Sequence, residues 1–212
     1  KGALFADTLN HLIGFRLAKY QAREWDILDE SLRLKRLEEA TLNSIWDVVS
    51  NNKAPVLAFL ERKAKMLNLD KLGWVDVEAP LTLTDTQTTL TFQEGAEFIE
   101  EHFAKFSPKM AEFARNAFEN NWIEAEDRDN KRPGGFCTEF PEDGESRIFM
   151  TYDGSANTIS TLAHELGHAF HSHVMRDQSP LNRDYAMNVA ETASTFAEIL
   201  ISDAAIKVAA SK

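Results

Sequence analysis

The sequence predicts a mainly α-helical fold with one small β ribbon, and three observations support that prediction. Apolar residues recur at three- and four-residue spacings through most of the 212 residues. Glycine and proline, which interrupt helices, are scarce at 9 and 6 residues. Between Trp122 and Asp153 the helical spacing fails, and two short extended stretches flank a turn signal. We therefore expect helices along most of the chain, with the ribbon just before the last two.

Composition and charge exclude several classes of protein. A hydrophobic fraction of 43% and a charged fraction of 27% are typical of a globular protein and exclude a disordered chain. The 34 acidic and 23 basic residues give a net charge of −11, which disfavours nucleic acid and anionic membranes as partners. No apolar run approaches the ~18 residues that a membrane span needs. The single cysteine, Cys137, excludes an internal disulfide and favours a reducing, cytoplasmic compartment.

The amino-terminal part of the chain is predicted to be helical. Apolar residues at positions 4–18 follow helical spacing, and the charged stretch at 29–39 carries leucines at intervals. Two further helices are expected at 41–50 and 55–67, where Pro55 suits a first helical turn.

The residue pattern changes between residues 70 and 90, and this stretch is the best candidate for a boundary between two regions of the chain. Residues 81–90 are rich in threonine and show no helical period. We therefore divide the chain into an amino-terminal helical region, residues 1–90, and a second region, residues 91–212, which carries the motifs described below.

The second region opens with two helices that have recognisable start signals. Thr91 and Glu94 form a predicted capping box for a helix that ends near residue 106. Ser107 and Pro108 are typical of a cap and a first turn, and they predict a helix to about residue 120. Further along we expect strands at 136–140 and 147–152, a turn at 141–144, and helices at 155–175 and 185–210.

Two histidines and a glutamate have the spacing of a zinc site on a helix. His164 and His168 are four residues apart, so they share one face and their imidazoles can converge on one Zn²⁺. Glu165 lies beside them, where its carboxylate can take a proton from a water bound to the metal. The neighbouring residues are apolar on most sides, which predicts a buried helix whose polar side chains need partners. This arrangement favours a metal site over a polar helix surface.

A catalytic zinc needs a third protein ligand, which this motif does not contain. The metzincin pattern requires glycine at position 171 and histidine at 174, and the chain has His171 and Val174 instead, so that class is excluded. His171 lies two turns beyond His164, too far along the helix to share its ion. We interpret His171 and His173 as exposed or supporting residues.

Our candidate for the third ligand is Glu191, in the last predicted helix. Its small neighbours Ala190 and Ala193 would allow that helix to pack closely against the helix with the two histidines. We expect Ser194 and Glu198, further along the same helix, to be hydrogen-bond partners that orient an imidazole.

Two motifs resemble one family of peptidases. The run His-Glu-Leu-Gly-His-Ala-Phe-His at 164–171, followed by Val-Ala-Glu-Thr-Ala-Ser-Thr at 189–195, is similar to the oligoendopeptidase F and thimet oligopeptidase family of zinc peptidases. The stretches at 71–81, 131–137 and 149–152 also resemble that family, so the similarity covers nearly the whole chain.

The resemblance implies a mainly α fold with a helical zincin-type (gluzincin) catalytic core and a small β ribbon before the zinc-binding helix. It implies a zinc-dependent endopeptidase that hydrolyses short peptides, with water activated by Zn²⁺ and Glu165. His164, His168 and Glu191 are the zinc ligands that it implies, as the spacing also indicates. Members of the family are longer, and their C-terminal segment supplies histidine and tyrosine side chains that hold the substrate carbonyl. We therefore expect this chain to be a fragment whose partner is that segment and whose activity alone is low.

Three other interpretations each fit part of the motif, and each lacks a feature that it requires. A ferritin-like di-iron site needs two Glu-x-x-His motifs, and the sequence has no second copy. A structural zinc site usually has four protein ligands, often cysteines, and Cys137 has no partner cysteine. An aminopeptidase with the same ligands would carry a Gly-x-Met-Glu-Asn signature, which is absent. A non-catalytic helical zinc-binding module, or an inactive fragment, is the alternative that we keep.

Two features near the ribbon have two interpretations each. The strand at 147–152 either pairs with an extended peptide substrate by strand addition or has a structural role only. The pair Gly134 and Gly135 either permits close approach of the peptide or forms a turn.

Overall fold

The computed structural model describes residues 1–77, 79, 81 and 89–210, with Ala210 described by its backbone alone. The chain divides into two compact units, residues 1–85 and 86–212. Residues 82–88, most of the threonine-rich stretch on which the predicted boundary rests, lie outside the described residues. No helix among the described residues is both long enough and apolar enough to cross a membrane.

The first unit consists of helices, as the spacing of its apolar residues predicts. Helix α2 begins with a capping box, because the Asp26 side chain accepts from the Leu28 amide and the Asp29 side chain accepts from the Asp26 amide. The helices are α1 (Gly2–Arg23), α2 (Ile27–Lys35), α3 (Glu39–Asn51) and α4 (Ala54–Met66), followed by a one-turn 3₁₀ helix at Trp74–Asp76.

A buried carboxylate joins α1 to α2. Glu30 is 7% exposed and accepts hydrogen bonds from Tyr20 at 2.6 Å, from Arg16 at 3.2 Å and from Lys19. These donors stabilise the ionised carboxylate and lower its pKa to about 2, with the Lys19 ammonium contributing most. Removing one partner would leave buried groups unpaired, so the cluster fixes how the two helices pack.

We expect this cluster to make the first unit sensitive to acid. The pKa of Glu30 is lower in the folded chain than in the unfolded chain, so its stabilising effect is complete above pH ~4.5 and is lost as the pH falls toward 2. Glu30→Gln should lower the melting temperature at pH 7 and weaken its dependence on pH between 4.5 and 2. Circular dichroism melts across that range test this, and a variant with an unchanged acid dependence would contradict it.

The second unit holds four helices and a small sheet. Thr91 and Glu94 form the predicted capping box, and the Ser155 hydroxyl accepts from the Thr158 amide at the start of α7. Ser107 precedes α6 as predicted, but its side chain makes no capping hydrogen bond. The elements are α5 (Phe92–Phe106), α6 (Pro108–Glu119), β1 (Ile123–Glu124), β2 (Gly135–Phe140), β3 (Glu145–Met150), α7 (Ala156–Met175), a 3₁₀ turn (Pro180–Asn182) and α8 (Met187–Ala210).

The strand order in the sheet is β1-β3-β2, with β3 parallel to β1 and antiparallel to β2. The predicted hairpin is present, although β3 covers 145–150 rather than 147–152. Strand β3 is central and paired on both sides, so it has no edge to offer a peptide, and that interpretation of the strand was wrong. Among the described residues β1 and β2 form the two edges of this sheet, and β2 is the longer edge strand.

A hydrophobic core joins the sheet to the four helices of this unit. Its largest fully buried hydrophobic side chains come from α5, β3 and α7 and are Ile99, Phe103, Ile148, Met150, Leu162 and Leu166. Because α7 is buried along the face that carries these leucines, its orientation relative to the sheet and to α8 is fixed by packing. The polar residues of α7 are therefore held in defined positions between β2 and α8.

Candidate metal centre

Helices α7 and α8 approach each other closely at Gly167, which lies between the two histidines of the motif. A Cβ atom at this position would lie 2.7 Å from the Ala193 carbonyl oxygen, 2.8 Å from the Ser194 Cα and 2.9 Å from the Ala197 Cβ. Only glycine allows this contact, because the nearest atoms belong to backbone or to a short rigid side chain. The close approach brings the carboxylates of α8 within reach of the imidazoles of α7.

The structure brings His164, His168 and Glu191 together. One carboxylate oxygen, Oε2 of Glu191, lies 3.2 Å from Nε2 of His164 and 3.2 Å from Nε2 of His168. One ligand atom from each of the three residues lies within 4.8 Å of the other two, close enough for all three to hold one ion. Two imidazole nitrogens and one carboxylate oxygen are a ligand set that suits zinc and leaves a coordination position open.

Glu198 forms a hydrogen bond with the His164 ring. Nδ1 of His164 donates to Oε2 of Glu198 at 3.2 Å, and the Ser160 hydroxyl donates to the other Glu198 oxygen at 3.2 Å. With its hydrogen on Nδ1, His164 presents the lone pair of Nε2 toward Glu191 and His168. The expectation that Glu198 orients an imidazole agrees with this geometry.

Ser194 contacts a different group from the one that the sequence predicted. Its side chain is fully buried, and its hydroxyl donates to Oε2 of Glu191 at 2.7 Å rather than to an imidazole. This hydrogen bond is the main reason that the pKa of Glu191 lies below its usual value. Ser194 therefore orients a carboxylate, because one turn of α8 places its hydroxyl beside Glu191.

Glu165 lies on the sheet side of α7, beside the two histidines. It is 5% exposed, and burial raises the pKa of its carboxyl group, with the Glu191 charge adding to the rise and His164 opposing it. A Cβ atom on Gly135 would lie 3.0 Å from the Glu165 Oε1. Gly135 therefore permits close approach between β2 and Glu165. This contact gives a structural reason for the glycine at position 135, for which the sequence offered two interpretations.

An open cleft of about 460 Å³ runs between β2 and the candidate ligands. Strand β2 lines one side with residues 135–139, and His164, Glu165, His168 and Glu191 line another. Tyr185, which precedes α8, also lines the cleft, although no sequence motif singled it out. The sequence predicted Tyr185 as the first residue of the last helix, but that helix begins at Met187, so Tyr185 lies in the irregular segment before it.

The remaining histidines and the cysteine lie outside the three-residue cluster. The His171 ring packs against the Tyr185 ring with centroids 4.7 Å apart, and the His173 ring packs against Phe113 at 4.8 Å. Neither residue belongs to the group of His164, His168 and Glu191, and their interpretation as exposed or supporting residues stays a prediction. Burial, together with the Glu165 charge, raises the pKa of the Cys137 thiol to about 12, which keeps this thiol protonated at neutral pH.

Comparisons with known proteins agree with this fold and this arrangement. Residues 80–212 match peptidase family M3. The chain is 25% identical over 205 residues to the oligoendopeptidase F homolog of Lactococcus lactis, covering 96% of this chain and 34% of the relative. It is 28% identical over 191 residues to the oligopeptidase PepF of Bacillus subtilis, covering 89% of this chain and 27% of the relative.

A solved structure shows the same fold. The structure of PZ peptidase A with an inhibitor superposes with a TM-score of 0.77 at 21% identity, covering 91% of this chain and 35% of that one. The prediction of a mainly α, zincin-type core with a small sheet is therefore confirmed. The shared fold and the matched residues together identify the family to which the chain belongs.

The chain belongs to peptidase family M3. It spans about a third of the length of the relatives that it matches. The predicted resemblance to the oligoendopeptidase F family is confirmed, including the expectation that family members are much longer than this chain.

Proposed function

We propose that the chain is the catalytic part of a zinc-dependent endopeptidase that hydrolyses short peptides. The observation that carries the proposal is the convergence of His164, His168 and Glu191 on one point beside the buried Glu165. Relatives named oligoendopeptidase and oligopeptidase support short peptides as the substrate class. The remaining length of the relatives supports a further segment of the same protein as a partner, and the lone free thiol supports the cytoplasm as its location.

The donor set fits zinc, and in this proposal His164, His168 and Glu191 hold the ion. Bound zinc would polarise the scissile carbonyl and lower the pKa of water toward ~7. Glu198 keeps His164 in the tautomer that offers Nε2, and Ser194 keeps the Glu191 carboxylate directed toward the two imidazoles. Cys137 is absent from the cluster of donor atoms, so the described residues offer three ligands rather than the four of a closed structural site.

Glu165 is the proposed general base and acid. Its carboxylate takes a proton from the attacking water and passes it to the leaving amine nitrogen. Its buried position beside His164 restricts the side chain to the neighbourhood of the reacting atoms and raises its pKa, which makes it a stronger base than an exposed glutamate.

The unpaired edge of β2 is the proposed binding edge for the peptide backbone. The Ile148 amide donates to the Trp122 carbonyl oxygen on the β1 side, so Ile148 and the opposite residue on β2, Cys137, exchange no hydrogen bonds. The Thr151 amide donates in the other direction, to the Gly134 carbonyl oxygen before β2. Because hydrogen-bonded pairs alternate along an antiparallel ladder, the amides and carbonyls of Gly135, Cys137 and Glu139 point away from β3. An extended peptide can pair with these groups along the cleft.

Zinc binding and peptide hydrolysis by the chain test the proposal. We expect one equivalent of zinc by atomic absorption after dialysis, and cleavage of a quenched-fluorescent octapeptide that stops on chelation and returns on adding zinc. Failure to bind zinc would overturn the proposal. One bound zinc with no cleavage by a protein that also includes the C-terminal segment would favour the non-catalytic zinc-binding module.

Two carboxylates of α8 should differ in their effect on zinc affinity. Glu198→Ala removes a group that orients His164, so we expect zinc affinity to fall about 10- to 100-fold. Glu191→Ala removes a ligand, and we expect a fall at least about tenfold larger than that of Glu198→Ala. Competition with a chromogenic chelator measures both. If Glu191→Ala binds zinc fully and Glu198→Ala does not, the two roles are reversed.

A further inference from the structure

Tyr185 lies in the catalytic cleft without a role in the proposed zinc site. It lines the cleft together with β2, with Glu165 and with the three candidate ligands. It lies two positions before Met187, the first residue of α8, so the start of that helix restricts its backbone position. The side chain is 39% exposed, which leaves part of it open to a molecule in the cleft.

The Tyr185 ring is held in place by packing. Its centroid lies 4.7 Å from that of His171, with the two ring planes tilted by 36°. The ring also lines an apolar groove with Val189 and Phe196 of α8. Contacts on these sides restrict the ring, so the hydroxyl at its tip has a restricted range of positions.

The hydroxyl of Tyr185 has no acceptor among the residues that the structure describes. Burial raises the pKa of this phenol, and the charges of Glu139 and Glu191 raise it further. The group is therefore a neutral hydrogen-bond donor at physiological pH, and it faces acidic residues that line the cleft. A donor placed in this way and left unpaired suits an acceptor oxygen on a bound molecule.

The Tyr185 ring and Glu165 lie at different positions along α7. Glu165 lies beside Gly135 of β2, whereas the Tyr185 ring packs against His171, six residues beyond Glu165 on the same helix. Six residues of α-helix correspond to a rise of about 9 Å. A peptide paired with β2 would therefore meet Tyr185 away from the bond on which Glu165 acts.

We propose that the Tyr185 hydroxyl is a substrate-binding group that donates a hydrogen bond to a backbone carbonyl oxygen of the peptide paired with β2, at a residue other than that of the scissile bond. This inference rests on the proposed peptidase function and deepens it. It assigns recognition of the peptide backbone to both β2 and the segment before α8. Recognition of backbone rather than side chains suits an enzyme that accepts peptides of varied sequence.

Peptide binding without turnover tests the role of Tyr185. In a zinc-loaded chain carrying Glu165→Gln, the dissociation constant of a fluorescein-labelled octapeptide is measured by fluorescence anisotropy, with and without Tyr185→Phe. Phenylalanine keeps the ring contact with His171 and removes only the hydroxyl. We expect the dissociation constant to rise about three- to tenfold, the effect of one lost hydrogen bond. An unchanged dissociation constant would overturn the inference.

A thioamide scan of the same peptide identifies the acceptor. Replacing one carbonyl oxygen of the peptide at a time with sulfur weakens that hydrogen-bond acceptor. Sulfur at one peptide position should therefore reduce the affinity of the protein with Tyr185 and leave the affinity of the Tyr185→Phe protein unchanged. The same positional effect in both proteins would overturn the inference. If the Glu165→Gln chain with Tyr185 intact binds no peptide at any position, the proposed function fails and this inference fails with it.

Tyr152→Phe is the matched control for the loss of a tyrosine hydroxyl. The Tyr152 hydroxyl donates to the carbonyl oxygens of Leu90 at 3.1 Å and Thr91 at 3.2 Å, and it does not line the cleft. This variant should lower the melting temperature and leave the peptide dissociation constant unchanged. An increase equal to that of Tyr185→Phe would show a general effect of folding and would overturn the assignment.

Discussion

Glu165→Gln is expected to lower kcat for peptide hydrolysis by about 10²- to 10⁴-fold while zinc content stays at one equivalent. Glutamine has nearly the same shape as glutamate, so the packing of α7 against β2 is preserved. Its amide cannot take a proton from water or return one to the leaving amine. Because Glu165 is 5% exposed and lies beside the histidines rather than among the three grouped donors, the loss should fall on catalysis alone.

The measurement is initial-rate hydrolysis of a quenched-fluorescent peptide by zinc-loaded protein, with zinc determined in the same sample. Glu101→Gln is a suitable control, since Glu101 is exposed, pairs with Lys105 on α5 and does not line the cleft. Full activity in the Glu165→Gln protein would remove Glu165 from its proposed role. Loss of zinc together with activity would instead indicate that Glu165 helps to hold the metal.

The raised pKa of Glu165 also predicts the acid limb of the pH profile. A base must be ionised to accept a proton, so activity should fall as the pH falls through the pKa of this carboxyl group. Burial raises that pKa above the ordinary value of 4.5, so the fall should begin at a higher pH than for an exposed glutamate. A profile of kcat against pH on zinc-saturated protein measures it.

Gly167→Ala is expected to destabilise the chain and to weaken zinc binding together. The new methyl group would lie within 3 Å of the Ala193 carbonyl oxygen and the Ser194 Cα, and these backbone atoms can move only if α8 moves. Overpacking of this kind costs about 1–3 kcal/mol in the free energy of unfolding. Moving α8 displaces Glu191 from His164 and His168, so zinc affinity should fall about 10- to 100-fold, as when a group that orients a ligand is lost.

Gly14→Ala provides the matched control. Gly14 lies inside α1, and a Cβ atom there would meet nothing within 4 Å. This substitution should stabilise the helix by about 0.5–1 kcal/mol and leave zinc affinity unchanged. Urea unfolding and chelator competition on both variants measure the two effects. A Gly167→Ala protein with wild-type zinc affinity would contradict the idea that close helix contact places Glu191.

The sequence alone determined the local structure and the two histidines of the candidate site. Apolar spacing, capping residues and the hairpin turn are local signals, and they predicted the helices of both units and the two strands of the hairpin. The four-residue interval from His164 to His168 is also local, because one helical turn suffices to bring two imidazoles to one face. Resemblance of this motif and of the Glu191 segment to a known family supplied the fold and the class of activity.

Only the tertiary structure decided which groups meet across separate elements. It placed Ser194 against Glu191 instead of an imidazole, and it made β2 an edge strand and β3 the central strand of the sheet. It also brought Tyr185 into the cleft and used Gly167 to bring α8 against α7. These contacts depend on strand order, helix separation and the rotation of α8, which packing of the whole unit fixes and which no short stretch of sequence encodes.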